Sequence, residues 1–145
     1  METVRELLRH KGGDVVTVPP GASVFDALTV MDQKNIGAVL VVEDEGQVLG
    51  IVTERDYARK VVLRGKSSRD LAVTDIMTEK VVFVGLDTTI DKAMALMTEM
   101  RCRHLPVLED GTLCGMVSIG DVVRAVIHDK DILIDQLEHY ISGSL

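Results

Sequence analysis

Two stretches of the chain pair the same residue types at the same spacing. Gly50-Ile51-Val52-Thr53-Glu54-Arg55-Asp56 and Gly115-Met116-Val117-Ser118-Ile119-Gly120-Asp121 both read Gly-x-x-[Ser/Thr]-x-x-Asp. A hydroxyl followed three residues later by an acid is the capping-box pattern of a helix N-terminus. On that reading the glycines are backbone accommodations only. The same groups also suit a phosphorylated sugar. Glycine lets a ligand approach the backbone, a hydroxyl with free N–H groups at a helix start suits phosphate, and a carboxylate accepts hydrogen bonds from a ribose diol. Cap and cradle are compatible. Two copies at matching positions, with Asp both times where a bare cap would accept Glu, favour the cradle. As helix-start residues, Asp56 and Asp121 are expected to be exposed, with loss of either costing about 1 kcal/mol.

The elements that must position these motifs form an internal repeat. Val15-Val16-Thr17-Val18 recurs as Val81-Val82-Phe83-Val84, 66 residues later. Val24, Ala27, Leu28 and Met31 make one helical face, and Ile90, Ala93, Met94 and Met97 repeat it. Val39 to Glu43 matches Leu105 to Glu109, and Gly50, Asp56 and Arg59 pair with Gly115, Asp121 and Arg124. Each unit reads strand, helix, strand, strand, helix. In the first these are Val15–Val18, a helix from the Ser23 cap to Asn35, Ile36–Val42, Val48–Val52, and a helix after Thr53. The fold class is therefore α/β, with two β-α-β-β-α repeats at 15–63 and 81–128. A polar linker at 64–80 carries a short helical turn near Asp75-Ile76-Met77. Amphipathic helices flank the repeats at 1–14 (Val4, Leu7, Leu8) and 129–145 (Leu133, Leu137, Tyr140, Ile141, stopped by Gly143). They are expected to pack on the repeats or on a second copy. One repeat is too small to be stable alone, so the pair is expected to pack with pseudo-two-fold symmetry around a cleft suited to a small ligand.

Composition excludes several classes. The chain has 145 residues, a net charge of −7 and only 3% aromatics. A nucleic-acid binder needs a basic footprint and often stacking rings. No apolar run approaches the roughly 18–20 residues of a membrane span, and no signal-peptide pattern opens the chain. The 22 valines imply an aliphatic, β-branched core. Cys102 and Cys114, without Cys-x-x-Cys spacing, read as free thiols in a reducing cytoplasm.

The paired motifs, each closing a β-α-β-β-α repeat, resemble the cystathionine-β-synthase (CBS) domain. So does Arg103-His104-Leu105-Pro106-Val107 leading into a strand. The resemblance covers about Val15 to Ile127, and Ile51 to Tyr57 with Val122 to Val126 look like the small stand-alone tandem-CBS proteins, Bateman-type modules. It implies a homodimer, an unknown regulated protein as partner, and an adenosine-containing ligand such as AMP, ADP, ATP, NAD or S-adenosylmethionine, with no metal. It also implies roles for this chain's residues. Asp56 and Asp121 would hold ribose hydroxyls, and Thr53 and Ser118 would reach ribose or phosphate. The base would sit against Val16-Thr17 and Val82-Phe83, and at the starts of the second strands, Ile36-Gly37-Ala38 and Cys102-Arg103-His104, with Pro106 beyond.

The two sites are not expected to be equal. Repeat two offers Arg101, Arg103 and His104 where repeat one offers Asn35, Gly37 and Ala38, and phosphate needs cations. Arg55 is a further candidate, since Gly120 stands at its counterpart. His10, His128 and His139 have no ligand spacing and read as surface residues. Met31, Met94, Met97 and Met100 read as core filler. Catalysis has only near-misses: Gly65-Lys66-Ser67 lacks the first glycine of a P-loop, and Ser118 is misplaced for a Gly-x-Ser-x-Gly elbow. The chain is thus expected to be a non-enzymatic sensor that binds an adenine nucleotide. The alternatives are a ligand-free interaction module or an S-adenosylmethionine sensor.

Overall fold

A computed structural model describes Glu2 to Ser142, apart from the side chains of Tyr140 and Ser142. The expected roles of Tyr140 and of the Gly143 stop lie outside these described residues. The elements in chain order are α1 (Val4–Lys11), β1 (Thr17–Val18), α2 (Val24–Lys34), β2 (Ala38–Val42), β3 (Val48–Thr53), α3 (Glu54–Tyr57), β4 (Val84–Gly85), α4 (Ile90–Met100), β5 (His104–Glu109), β6 (Thr112–Ser118) and α5 (Ile119–Ser142). The fold is mixed α/β. Each repeat forms one three-stranded sheet, β1-β2-β3 or β4-β5-β6. The first pair of each is parallel and the second antiparallel.

The local chemistry of α2 and α4 explains their matching bounds. Ser23 Oγ accepts the Asp26 N–H, and the Asp26 carboxylate accepts the Ser23 N–H. Thr89 caps α4 in the same place. Both helices end on a left-handed residue, Asn35 (φ 54°) or Arg101 (φ 53°). The Ile36 and Cys102 N–H groups then return to the Met31 and Met97 carbonyls. This closure uses the N–H of Ile36, so β2 starts at Ala38 rather than at Ile36 as expected. The expected strand at 15–18 shortens to Thr17–Val18, and the one at 81–84 gives way to Val84–Gly85, because only those residues lie in register with their neighbour.

The chain divides into two compact units, Val15–Val81 and Met1–Asp14 with Val82–Leu145. In the first, Val18, Val24, Ala27, Met31, Val39, Val41 and Val52 form an aliphatic core. In the second, Val84, Ile90, Ala93, Met97, Leu105, Val107 and Val117 repeat it. Met100 is exposed, contrary to its reading as core filler, because it falls off the buried face of α4.

Each unit is completed by the segment that precedes the other repeat. The Val4 N–H donates to Thr88 O at 2.8 Å, and Ile90 N–H donates to Glu2 O at 3.0 Å. In the other unit, Val73 N–H donates to Ala22 O at 2.9 Å and Val24 N–H to Leu71 O at 2.8 Å. Val4, Leu7 and Leu8 are buried in one unit. Val73 and Ile76, with Met77 packed beside them, hold the matching places in the other. The region around Asp75 makes a 3₁₀ turn at Val73–Asp75, and its apolar residues belong to the core. At the far end, α5 runs unbroken for 24 residues, so the expected C-terminal helix continues the last helix of repeat two. Repeat one has instead the short α3, followed by a π-helical turn at Ala58–Val62.

Candidate functional site

Both motifs form capping boxes. Thr53 Oγ1 accepts the Asp56 N–H at 3.2 Å, while Asp56 Oδ2 accepts the Thr53 N–H at 3.0 Å and its hydroxyl at 3.1 Å. Ser118 Oγ accepts the Asp121 N–H at 3.2 Å, and Asp121 Oδ2 accepts the Ser118 N–H at 2.8 Å. The aspartates are not exposed as expected; they are 7% and 8% accessible. Burial is tolerated because each carboxylate is paired. Asp56 Oδ1 accepts the Thr78 hydroxyl at 3.2 Å and lies 3.0 Å from Lys60 Nζ. Asp121 lies 2.7 Å from Lys11 Nζ through Oδ2 and 2.7 Å from Arg124 Nη2 through Oδ1. Burial pushes the Asp121 carboxyl up. The hydrogen bonds from Lys11 and Ser118, with the Lys11 charge, more than offset this and hold it below its ordinary value.

The motif glycines serve packing. A Cβ on Gly50 would stand 2.8 Å from Met77 Sδ and 2.8 Å from Thr78 O; one on Gly115 would stand 2.6 Å from Leu8 Cδ1. Met77 and Leu8 fill the space that the sequence left open to a ligand.

The register of the strands brings the other expected residues to the same places. Ala38 pairs with Thr53, and His104 pairs with Ser118. Gly37 O accepts the Glu54 N–H at 3.1 Å, and Arg103 O accepts the Ile119 N–H at 2.8 Å. These two carbonyls therefore anchor helix starts. Val16 and Ile36 are half-buried, and Thr17 and Arg55 are exposed. In the second unit Val82 and Cys102 are half-buried, Phe83 and Arg103 are exposed, and Pro106 is buried within β5. Arg101 is exposed at the end of α4. Burial lowers the His104 pKa, as do the charges of Lys11 and Arg103, against an opposing pull from Asp121. Burial raises both thiols, Cys102 and Cys114, which are free.

Sequence reasoning missed the partners of the aspartates. Lys60 and Arg124, four and three residues after them, are within helical reach and could have been found. Lys11 and Thr78 come from the segments before each repeat. Their only signal is the matching apolar spacing of Val4, Leu7 and Leu8 with Val73, Ile76 and Met77. His10 and His128, which share no sequence spacing, line one cavity of about 420 Å³ together with Lys11, Asp121 and Arg124. A second cavity, of about 500 Å³, lies along the β4–α4 turn and holds no motif residue. Among the described residues, no group of three or more His, Cys, Asp or Glu is placed to hold a metal ion. None of their helices is long and apolar enough to cross a membrane.

The comparisons with known proteins agree with this architecture. The CBS-domain family model matches twice, over residues 4–63 and 73–133. Both matches begin at the buried valine of the leading segment, Val4 or Val73. A mitochondrial CBS domain-containing protein of Arabidopsis thaliana is 42% identical over 97% of this chain and 72% of its own length. The structure of a putative signal-transduction protein with CBS domains from Burkholderia ambifaria is 50% identical. It superposes with a TM-score of 0.84, covering 88% of this chain and 96% of that one. A CBS domain pair solved with 5′-methylthioadenosine and S-adenosyl-L-methionine shares the fold at 24% identity and a TM-score of 0.77, over 86% of this chain and 99% of that one. With both repeats matched and the relatives aligned along most of their length, the chain belongs to the CBS-domain family as a tandem pair.

Proposed function

We propose that the protein is a regulatory module that binds an adenine nucleotide, of the AMP, ADP, ATP or NAD type, and passes its occupancy to a protein partner. The observation that carries this reading is the duplicated hydroxyl-plus-carboxylate pair at a helix start, Thr53 with Asp56 and Ser118 with Asp121, beside the start of the second strand. In this reading the aspartates bind ribose hydroxyls, Thr53 and Ser118 reach ribose or phosphate, and Val16, Thr17, Val82 and Phe83 with the second-strand starts face the base. Signalling requires that the ligand bind two shapes of the protein with different affinity. The role is binding rather than catalysis. The two free cysteines support a reducing compartment such as the cytoplasm.

The proposed assembly is a homodimer. Along α5, Val123, Ile127, Ile134, Leu137 and Ile141 are exposed at alternating intervals of four and three, with Lys130 at the intervening position. Isoleucine recurs at every second place, a pattern that suits a two-stranded helical seam.

Two specific observations favour other readings. Both motif carboxylates are already partnered within the chain, which suits a ligand-free interaction module. The relative solved with S-adenosyl-L-methionine favours a sensor of that ligand. Calorimetric titration with AMP, ADP, ATP, NAD, NADH and S-adenosylmethionine separates the three. A micromolar response to a nucleotide is expected, a response to S-adenosylmethionine alone shifts the assignment, and no response to any of them overturns it.

A further inference from the structure

The segment from Tyr57 to Arg69 holds five cations, Arg59, Lys60, Arg64, Lys66 and Arg69, and no acid. Without it the chain's net charge of −7 would be −12. Lys60 is engaged by Asp56 and by the Ile76 carbonyl. The other four make no ion pair. Among the described residues such pairs join Arg5 to Asp87, Lys11 and Arg124 to Asp121, and Lys60 to Asp56. Backbone bonds fold the segment tightly. The Leu63 N–H donates to Ala58 O, the Gly65 N–H to Val62 O and the Lys66 N–H to Val61 O, with the Val61 side chain buried. Ser68 O accepts the Phe25 N–H at 2.9 Å, and the Arg69 guanidinium lies 4.2 Å from the centre of the Phe25 ring. Amid these cations Val62 is 53% accessible and Leu63 78%.

A solvated face of an acidic chain would intersperse acids with its cations and keep leucine out. The fold does not demand these cations either. Counted from the paired motifs, Arg64 and Lys66 correspond to Asp129 and Asp131 in repeat two. Arg59 corresponds to Arg124, which Asp121 holds; in repeat one Lys60 takes that role and Arg59 stays unpaired. Resting on the protein-partner part of the reading above, we infer that this basic ridge docks an acidic segment of the regulated protein, one that sets Asp or Glu around leucine-type side chains. Val62 and Leu63 receive its apolar residues. Arg59, Arg64, Lys66 and Arg69 meet its carboxylates, the arginines through paired N–H donors. A cationic rim around an exposed aliphatic pair fits an acidic protein surface best. Phe25 is the ring beside the ridge and Arg69 covers it, which leaves no stacking platform for a nucleic acid. Two aliphatic side chains are too few to anchor on lipid. In a second copy the acidic helix α5 is engaged by the seam proposed above.

The test titrates the full chain, without nucleotide, into fluorescent helical peptides of one length. One sets leucine on a single face among glutamates, one replaces the leucines by serine, and one replaces the glutamates by lysine. The glutamate–leucine peptide should bind, and binding should weaken as salt rises. The serine peptide should bind at least fivefold more weakly, and the lysine peptide not at all. The double variant Arg64→Glu/Lys66→Glu should lose about tenfold or more, the value of one or two charge-assisted contacts. Leu63→Ser should lose about fivefold, and the charge-preserving pair Arg64→Lys/Lys66→Arg should stay within about threefold. All these side chains are exposed, and a cooperative thermal transition checks each variant. No binding of the glutamate–leucine peptide by wild type, or equal binding by the charge-reversed variant, overturns the inference. So does tighter binding of an RNA oligonucleotide or of phosphatidylserine vesicles by wild type. A charge-reversed variant that sediments as a monomer where wild type is a dimer assigns the ridge to a second copy and overturns it too. None of these outcomes bears on nucleotide binding, which the calorimetric titration above decides separately.

Discussion

Lys11, the last residue of α1, places its ammonium 2.7 Å from the Oδ2 of Asp121, which lies 110 positions further along the chain. The same ammonium donates to Met116 O at 2.6 Å. This contact links the N-terminal helix to the second motif and gives stability there a dependence on pH. The Asp121 carboxyl is held below its ordinary pKa of 3.8. A depressed carboxylate contributes stability that is complete above the unfolded value and is lost as pH falls through the lower folded one. The urea stability of wild type relative to Asp121→Asn should therefore be constant from pH 6 to about pH 5 and shrink progressively below pH 3.8. A difference that stays constant down to pH 2.5 would refute the paired state of Asp121.

Alanine at Asp56 tests the burial that the sequence did not reveal. The loss removes a helix cap worth about 1 kcal/mol and leaves Lys60 and the Thr78 hydroxyl without their carboxylate. Together these should cost about 2–3 kcal/mol. Thr53→Ala, which removes only the cap hydroxyl, should cost about 1 kcal/mol. Chemical denaturation of both variants measures the gap; equal losses would mean that Asp56 acts only as a cap.

The motif glycines should behave as packing residues. Gly115→Ala drives a methyl into Leu8, and overpacking of this kind costs about 1–3 kcal/mol. Leu8→Ala alone should cost about 2–5 kcal/mol by leaving a cavity. The double variant should cost less than the sum, since the new methyl occupies vacated space. Strict additivity in urea titrations would dissociate Gly115 from α1. Gly50→Ala should be harder to relieve, because one of its neighbours is the Thr78 carbonyl rather than a flexible side chain.

The seam on α5 is tested by charge. Ile134→Asp introduces a carboxylate in the middle of the exposed stripe. It should convert a dimer to a folded monomer in sedimentation velocity, with little loss of monomer stability, because Ile134 is 51% accessible. An unchanged sedimentation coefficient would move the dimer contact elsewhere.

The repeat, its α/β class and the helix caps were legible in the sequence because they are local. Ser23, Thr53, Thr89 and Ser118 each act within three residues, and the Val24/Ala27/Met31 and Ile90/Ala93/Met97 faces follow from helical periodicity. Those features depend on backbone geometry that a few adjacent side chains can dictate. The fit of the leading segments was not legible. Val4, Leu7 and Leu8 announce an amphipathic helix but not its address, since any apolar groove would satisfy them. Only the folded chain shows that α1 completes the second repeat while Val73 and Ile76 complete the first. The same step decides the motifs. The sequence by itself determined that each carries a glycine, a hydroxyl and a carboxylate in cap register. The tertiary structure decided that Leu8 and Met77 occupy the glycines and that Lys11 and Thr78 meet the carboxylates. These partners arrive from distant segments, whose placement depends on burying aliphatic surface and not on any residue type near the motif.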